Sequence, residues 1–148
     1  MHCCHARPHA VAQIKGGSDA PNLYGEVRFY QERGSVLVVA DISGMPTCSD
    51  SGFFGLHIHE GDSCEGDSFA QTGSHYSPKD MAHPNHAGDL PPLMRCGNRA
   101  FLAVRTDRFC VQEILGRTVV IHDRADDFRS QPSGNAGEKI ACGVIRSQ

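Results

Sequence analysis

The sequence predicts an all-β domain, a Greek-key β-barrel or sandwich of about eight short antiparallel strands with long loops. Three observations carry this. The chain of 148 residues is punctuated by 16 glycines and 8 prolines, which favours short strands and turns over long helices. Runs with period-two alternation recur along it, bounded by turn-forming residues. No segment supports a helix of three turns, and there is no internal repeat. Hydrophobic residues make up 39% of the chain, with no Trp, and the length is enough for one domain with a sizeable core.

The elements follow in order. Residues 10–15 alternate weakly and open the sheet. In 25–32, Val27 and Phe29 lie on one face and Glu26 and Arg28 on the other. Gly34 supplies a turn and 35–42 forms a second β-rich run, so the pair reads as a hairpin. Gly44-Met45-Pro46 ends it. Residues 53–60 form a further strand that carries His57 and His59. From 61 to 93 the pattern disappears under Gly, Asp, Ser, Pro and His. A loop of that length without structure of its own is uncommon unless it is functional, and a bound metal would hold it in place. Residues 100–106 resume the strand pattern, and Thr118-Val119-Val120-Ile121-His122 reads as a buried strand. A second polar, Gly-rich loop spans 123–139, and 140–145 is the last strand. The organisation is a His/Cys-rich tail over 1–9 and one domain over 10–148.

Composition excludes several classes. A net charge of -3 argues against a nucleic-acid protein, which would carry a basic face. The longest apolar stretch, Val36 to Ala40, is far short of a membrane span. The first residues carry no apolar signal core, so a cytoplasmic protein is expected unless processing has preceded this sequence. Seven cysteines is an odd number, which leaves at least one unpaired in a monomer.

The chain has nine histidines. Three lie in the first nine residues; the others are His57, His59, His75, His83, His86 and His122. His57 and His59 share one face of a strand, because side chains alternate with period two. Both can meet one ion, and His122 can come alongside. Three or four imidazoles in a roughly square arrangement suit copper. His83, His86 and Asp89 are spaced i, i+3, i+6 in a Pro/Gly loop, and one more ligand would complete a tetrahedral zinc site. His75 lies between the groups and could serve either ion or both. A lone His-x-His or His-x-x-His is a weak signal; the combination, completed by Asp89, is a strong one.

Five stretches together resemble copper/zinc superoxide dismutase. They are Leu56-His57-Ile58-His59-Glu60, 73–78 around His75, His86-Ala87-Gly88-Asp89-Leu90, 116–122 ending at His122, and 134–145 around Cys142. The resemblance covers about residues 10–146. It implies copper on His57, His59, His75 and His122, zinc on His75, His83, His86 and Asp89, and His75 shared between them. It implies that Asp126 hydrogen-bonds His57 and His83, and that Cys64 and Cys142 form a disulfide. The activity implied is dismutation of superoxide to oxygen and hydrogen peroxide by a redox-cycling copper, an antioxidant oxidoreductase reaction, with zinc in a structural role. His75 and Lys139 would be the catalytic side chains. Superoxide is the implied substrate, and a homodimer and a copper donor the candidate partners. The alternative is a copper store or chaperone on the same fold, although chaperones of this fold usually lack some copper ligands and all four are present here. A zinc-stabilised domain with an empty copper site would leave His59 and His122 unexplained.

The chain also departs from the family pattern. Lys139 stands where the family typically has Arg, keeping the charge and losing the planar fork of donors. The 123–139 loop is short and the 93–116 segment compact, as if a strand or loop had been trimmed. Both features look bacterial rather than animal and put the usual dimer interface in doubt. Cys48, Cys96 and Cys110 have no role in the pattern; Cys96 and Cys110 could pair, but connectivity cannot be read from sequence. In the tail, His2, Cys3, Cys4, His5 and His9 form a soft-ligand set of the kind copper(I) prefers, so it could capture copper; the plainer reading is an untethered terminus.

Overall fold

The computed structural model describes residues 7–148. His2, Cys3, Cys4 and His5 of the tail lie outside the described residues. His9 lies inside them and is held against the sheet. Its amide donates to the Phe29 carbonyl at 2.9 Å, and its Nδ1 accepts from the Gln31 amide at 3.0 Å.

Among the described residues nine strands form one antiparallel ladder: β1 (Ala10–Gly16), β2 (Tyr24–Glu32), β3 (Ser35–Ser43), β4 (Phe53–Phe54), β5 (Leu56–His59), β6 (Leu93–Cys96), β7 (Arg99–Thr106), β8 (Thr118–His122) and β9 (Lys139–Ser147). Their order is β4-β6-β7-β3-β2-β1-β9-β8-β5. The two ends of that ladder, β4 and β5, are one stretch of chain interrupted only by Gly55, so the sheet closes into a barrel. Closure through one stretch of chain leaves the outer edge of β5 to be covered by other means.

The strand expected over 53–60 is therefore two strands. Gly55 donates to the Arg124 carbonyl and accepts from the His122 amide, so the chain turns there against the second long loop. A Cβ at this position would meet Ala136 at 2.9 Å, which suits glycine. The compact 93–116 segment carries two strands: β6 and β7 pair with Arg95 opposite Ala100 and Cys96 opposite Arg99. β6 was not foreseen. A single helical turn, α1 (Val111–Ile114), follows them.

Alternation builds the core. Val27 and Phe29 of β2, Val36, Val38, Ala40 and Ile42 of β3, and Leu56 and Ile58 of β5 are fully buried. Fully burying a Val, Leu, Ile or Phe side chain contributes roughly 1.5–3 kcal/mol. In β5 and β8 the opposite face is buried too. His57 and His59 of β5, and Thr118, Val120 and His122 of β8, lie beneath the long loops rather than inside the barrel. The register sets His57 opposite Val120 and His59 opposite Thr118.

The free edge of β5 is covered by the first long loop. Ile58 donates to the Gly88 carbonyl at 2.9 Å and accepts from the Tyr76 amide at 2.8 Å, and Glu60 donates to the Ser74 carbonyl at 2.9 Å. Within this loop the chain forms a short 3-10 segment, Asp67–Thr72. Cys64 is disulfide-bonded to Cys142 on β9, 78 residues away, and ties the loop to the barrel wall. Cys48, Cys96 and Cys110 are free thiols, so the pairing considered for Cys96 with Cys110 does not form.

Candidate metal centre

Strand geometry places the first set of imidazoles. His57 and His59 share the outer face of β5. β8 delivers His122 at its end, where a bulge between Ile121 and His122 shifts the register and sets Lys139 opposite His122. The stitched loop brings His75 against His59. The ligand atoms of His57, His59, His75 and His122 lie within 4.8 Å of one another, as do those of His75, His83, His86 and Asp89. His75 belongs to both sets.

Hydrogen bonds fix which ring nitrogen is available. His59 Nδ1 lies 2.8 Å from the Gly73 carbonyl, and His122 Nδ1 lies 3.3 Å from the Gly137 carbonyl. Carbonyls only accept, so the N–H sits at Nδ1 and each Nε2 carries a lone pair. Those two Nε2 atoms face each other at 3.3 Å. Two lone pairs at that separation repel unless a cation lies between them. His57 Nε2 donates to Asp126 Oδ2 at 2.7 Å and His83 Nε2 donates to Asp126 Oδ1 at 2.8 Å. That leaves Nδ1 free on both rings. His57 Nδ1, His75 Nε2 and His83 Nδ1 are buried without a hydrogen-bond partner. Buried polar atoms in native proteins are normally satisfied, so three orphans aimed into the two clusters are what metal ligation would leave.

The second set converges on one carboxylate. Asp89 Oδ1 is 2.8 Å from His75 Nδ1, and Asp89 Oδ2 is 3.1 Å from His83 Nδ1 and 3.1 Å from His86 Nδ1. Three imidazoles and one carboxylate fit tetrahedral zinc; four imidazoles fit copper. The shared ring turns Nε2 to the first set and Nδ1 to the second.

Electrostatics favour neutral ligands. Burial, with the neighbouring His75, pushes His59 down to about 2, and burial with His57 pushes His122 down to about 3. Burial likewise lowers His75. For Asp126 burial raises the carboxyl, but bonds from His57, the Phe128 amide and His83 outweigh it and hold it at about 2. Neutral imidazole and ionised carboxylate are the forms that bind metal.

A cavity of about 260 Å³ opens onto the first set, lined by His59, His75, His122, Pro132, Gly137 and Lys139. Lys139 Nζ donates to Thr72 Oγ1 at 2.8 Å and to the Gly73 carbonyl at 3.1 Å. That carbonyl also accepts from His59. Burial lowers the Lys139 amine from its ordinary value.

Two supporting residues were not found from sequence. Arg108 Nη1 donates to the carbonyls of Pro84 at 2.8 Å and His86 at 3.2 Å. The Gln131 amide pairs with both main-chain groups of His83, from whose amide it accepts at 3.0 Å and to whose carbonyl it donates at 2.7 Å. Both residues act on backbone, which carries no sequence signal.

Comparison with known proteins agrees with this geometry. Residues 23–145 match the family described as copper/zinc superoxide dismutase. A Cu-Zn superoxide dismutase of Aquifex aeolicus is 30% identical over 152 residues, covering 90% of this chain and 87% of that protein. One from Arabidopsis thaliana is 35% identical over 157 residues, covering 94% and 90%. An extracellular one from Rattus norvegicus is 31% identical over 153 residues, covering 93% and 62%.

Proposed function

The chain belongs to the copper/zinc superoxide dismutase family, and from that premise we propose that it is an oxidoreductase converting superoxide to oxygen and hydrogen peroxide. One observation carries the reading: two complete ligand sets meet on His75, whose two nitrogens face different clusters. We assign copper to His57, His59, His75 and His122, and zinc to His75, His83, His86 and Asp89. Copper supplies the one-electron cycling that oxidises one superoxide and reduces the next.

The chain's own residues do the rest. His59 and His122 are held as Nδ1–H tautomers by carbonyls, so both present Nε2 without rearrangement. His75 Nε2 is a buried base with no competing partner and can hold a proton when it is not ligating. Asp126 fixes His57 and His83 in one orientation, as partners of metal-binding histidines do. Lys139 puts a cation at the mouth of the cavity, where it attracts and positions the anionic substrate.

The test is metal analysis of the purified chain with a superoxide-consumption assay. One copper and one zinc per chain with activity are expected. Stoichiometric metal without activity would overturn the enzyme and favour a copper store or chaperone.

A homodimer and a copper donor complete the reading. Phe53, Met94 and Phe101 are exposed on neighbouring strands β4, β6 and β7, an apolar row suited to a second copy. Sedimentation showing monomer alone would remove the dimer. For the tail over 1–9, ahead of the domain over 10–148, we prefer a plain chain terminus to copper capture by its His and Cys side chains, since His9 is already held on the sheet. Unchanged loading at limiting copper after its deletion would remove the capture role. A cytoplasmic compartment fits the free thiols Cys48, Cys96 and Cys110, which a reducing environment preserves; fractionation reads it directly. No helix is long and apolar enough to cross a membrane among the described residues.

A further inference from the structure

We propose that Gln131 is a positioning residue for the zinc set, acting through the main chain of His83; the inference rests on the ligand assignment above. His83 is gripped from the second long loop at two levels. Asp126 takes its side-chain Nε2 at 2.8 Å. Gln131 takes its backbone, accepting from the amide at 3.0 Å and donating to the carbonyl at 2.7 Å.

These two bonds fix the peptide planes on either side of the His83 Cα. They therefore fix the Cα–Cβ direction and the approach of Nδ1 to Asp89 Oδ2, 3.1 Å away. The amide cannot be turned over. Its oxygen faces an N–H and its nitrogen faces a carbonyl, and the second N–H donates to the Arg129 carbonyl at 3.2 Å. The loop that presents Gln131 is itself closed. Asp127 Oδ1 accepts from the Arg129 and Ser130 amides at 2.8 Å each, and Gly134 donates to the Ser130 carbonyl at 2.7 Å. A pre-ordered loop thus offers a two-point clamp to the one imidazole that links Asp126 to Asp89. Without the clamp, His83 keeps its Asp126 bond but its backbone can rotate, and Nδ1 leaves the position shared with His75, His86 and Asp89.

The experiment compares the full-length wild-type chain with Gln131→Ala and Gln131→Glu. Zinc affinity is measured by chelator competition, and the ligand field by the visible spectrum of the cobalt(II)-substituted zinc site. Gln131→Ala should bind zinc about 10–100-fold more weakly and show an altered cobalt spectrum. Gln131→Glu keeps the volume and places a carboxylate oxygen against the His83 carbonyl, so it should be weakened at least as much. It also serves if the alanine variant does not fold. A lowered melting temperature with zinc affinity within about twofold of wild type and an unchanged cobalt spectrum would overturn the proposal, leaving Gln131 a loop-packing residue. Failure of the wild type to bind zinc would instead overturn the ligand assignment, and this proposal with it.

Discussion

At Gly134 the consequences of one added carbon can be argued atom by atom. Its φ is 71°, in the left-handed region, and a Cβ there would overlap Asp126 Oδ1 and His83 Nε2. Gly134→Ala must therefore both strain the backbone, at about 1–3 kcal/mol, and push apart the carboxylate and the ring it orients. We expect a lower melting temperature together with loss of zinc, read by calorimetry and metal analysis; full zinc content in the folded variant would refute the overlap. Lys139 is governed by charge rather than shape. In the role proposed for it, a cation at the cavity mouth would act on superoxide before contact, and salt shortens that reach from about 10 Å at 0.1 M to about 3 Å at 1 M. Lys139→Gln should lower kcat/KM on the order of tenfold at low salt, with the gap to wild type closing as salt rises. A gap independent of salt would show that Lys139 acts only at contact.

The elements differ in how visible they are in the sequence, and the reasons are physical. β8 is legible to its last residue because Thr-Val-Val-Ile-His is β-branched and buried on both faces. β2 and β3 are legible because Val27, Phe29, Val36, Val38, Ala40 and Ile42 alternate. β6 is not: Leu-Met-Arg-Cys lacks β-branching, only Leu93 among its residues is fully buried, and its strand character comes from pairing with β7. The break at Gly55 is likewise imposed by Arg124 and His122, far away in sequence. The same division holds at the metal centre. Histidine spacing is local and readable, and it separates the residues the fold gathers into two sets. Arg108 and Gln131 act on carbonyls and amides and leave no local trace. The disulfide is an element-scale clamp between these regimes. It closes a 78-residue separation, for which the chain-entropy account gives about 4 kcal/mol. Cys64→Ser should lower the unfolding free energy by that order in urea titrations of the metal-free protein. An unchanged midpoint would mean that the bridge does not restrict the unfolded chain as that account requires.

For the whole molecule, closing the barrel leaves one outer region, over β5 and β8, where both long loops lie on a buried but polar surface. Burying neutral histidines there makes stability depend on pH, and the sign follows from their pKa directions. In the metal-free fold His59 is held down at about 2 and His122 at about 3, while His75 is lowered as well. In the unfolded chain each titrates near about 6.5. Below that pH the unfolded state binds more protons than the folded one, so stability falls as pH falls. The loss begins near pH 6.5 and is complete only when the folded values are reached. Asp126, held at about 2, and Asp89, held below its ordinary value, act in the same direction at the acid end. Bound metal competes with these protons, so the loaded protein should resist acid until its ligands are protonated and the ions leave. Calorimetry from pH 8 to pH 4 should therefore give a melting temperature that declines steadily below pH 6.5 without metal. With both ions bound it should stay level over the upper part of that range and then drop together with metal release. A metal-free melting temperature that is flat or rising between pH 6.5 and pH 4 would mean that the buried imidazoles are not held neutral by the fold.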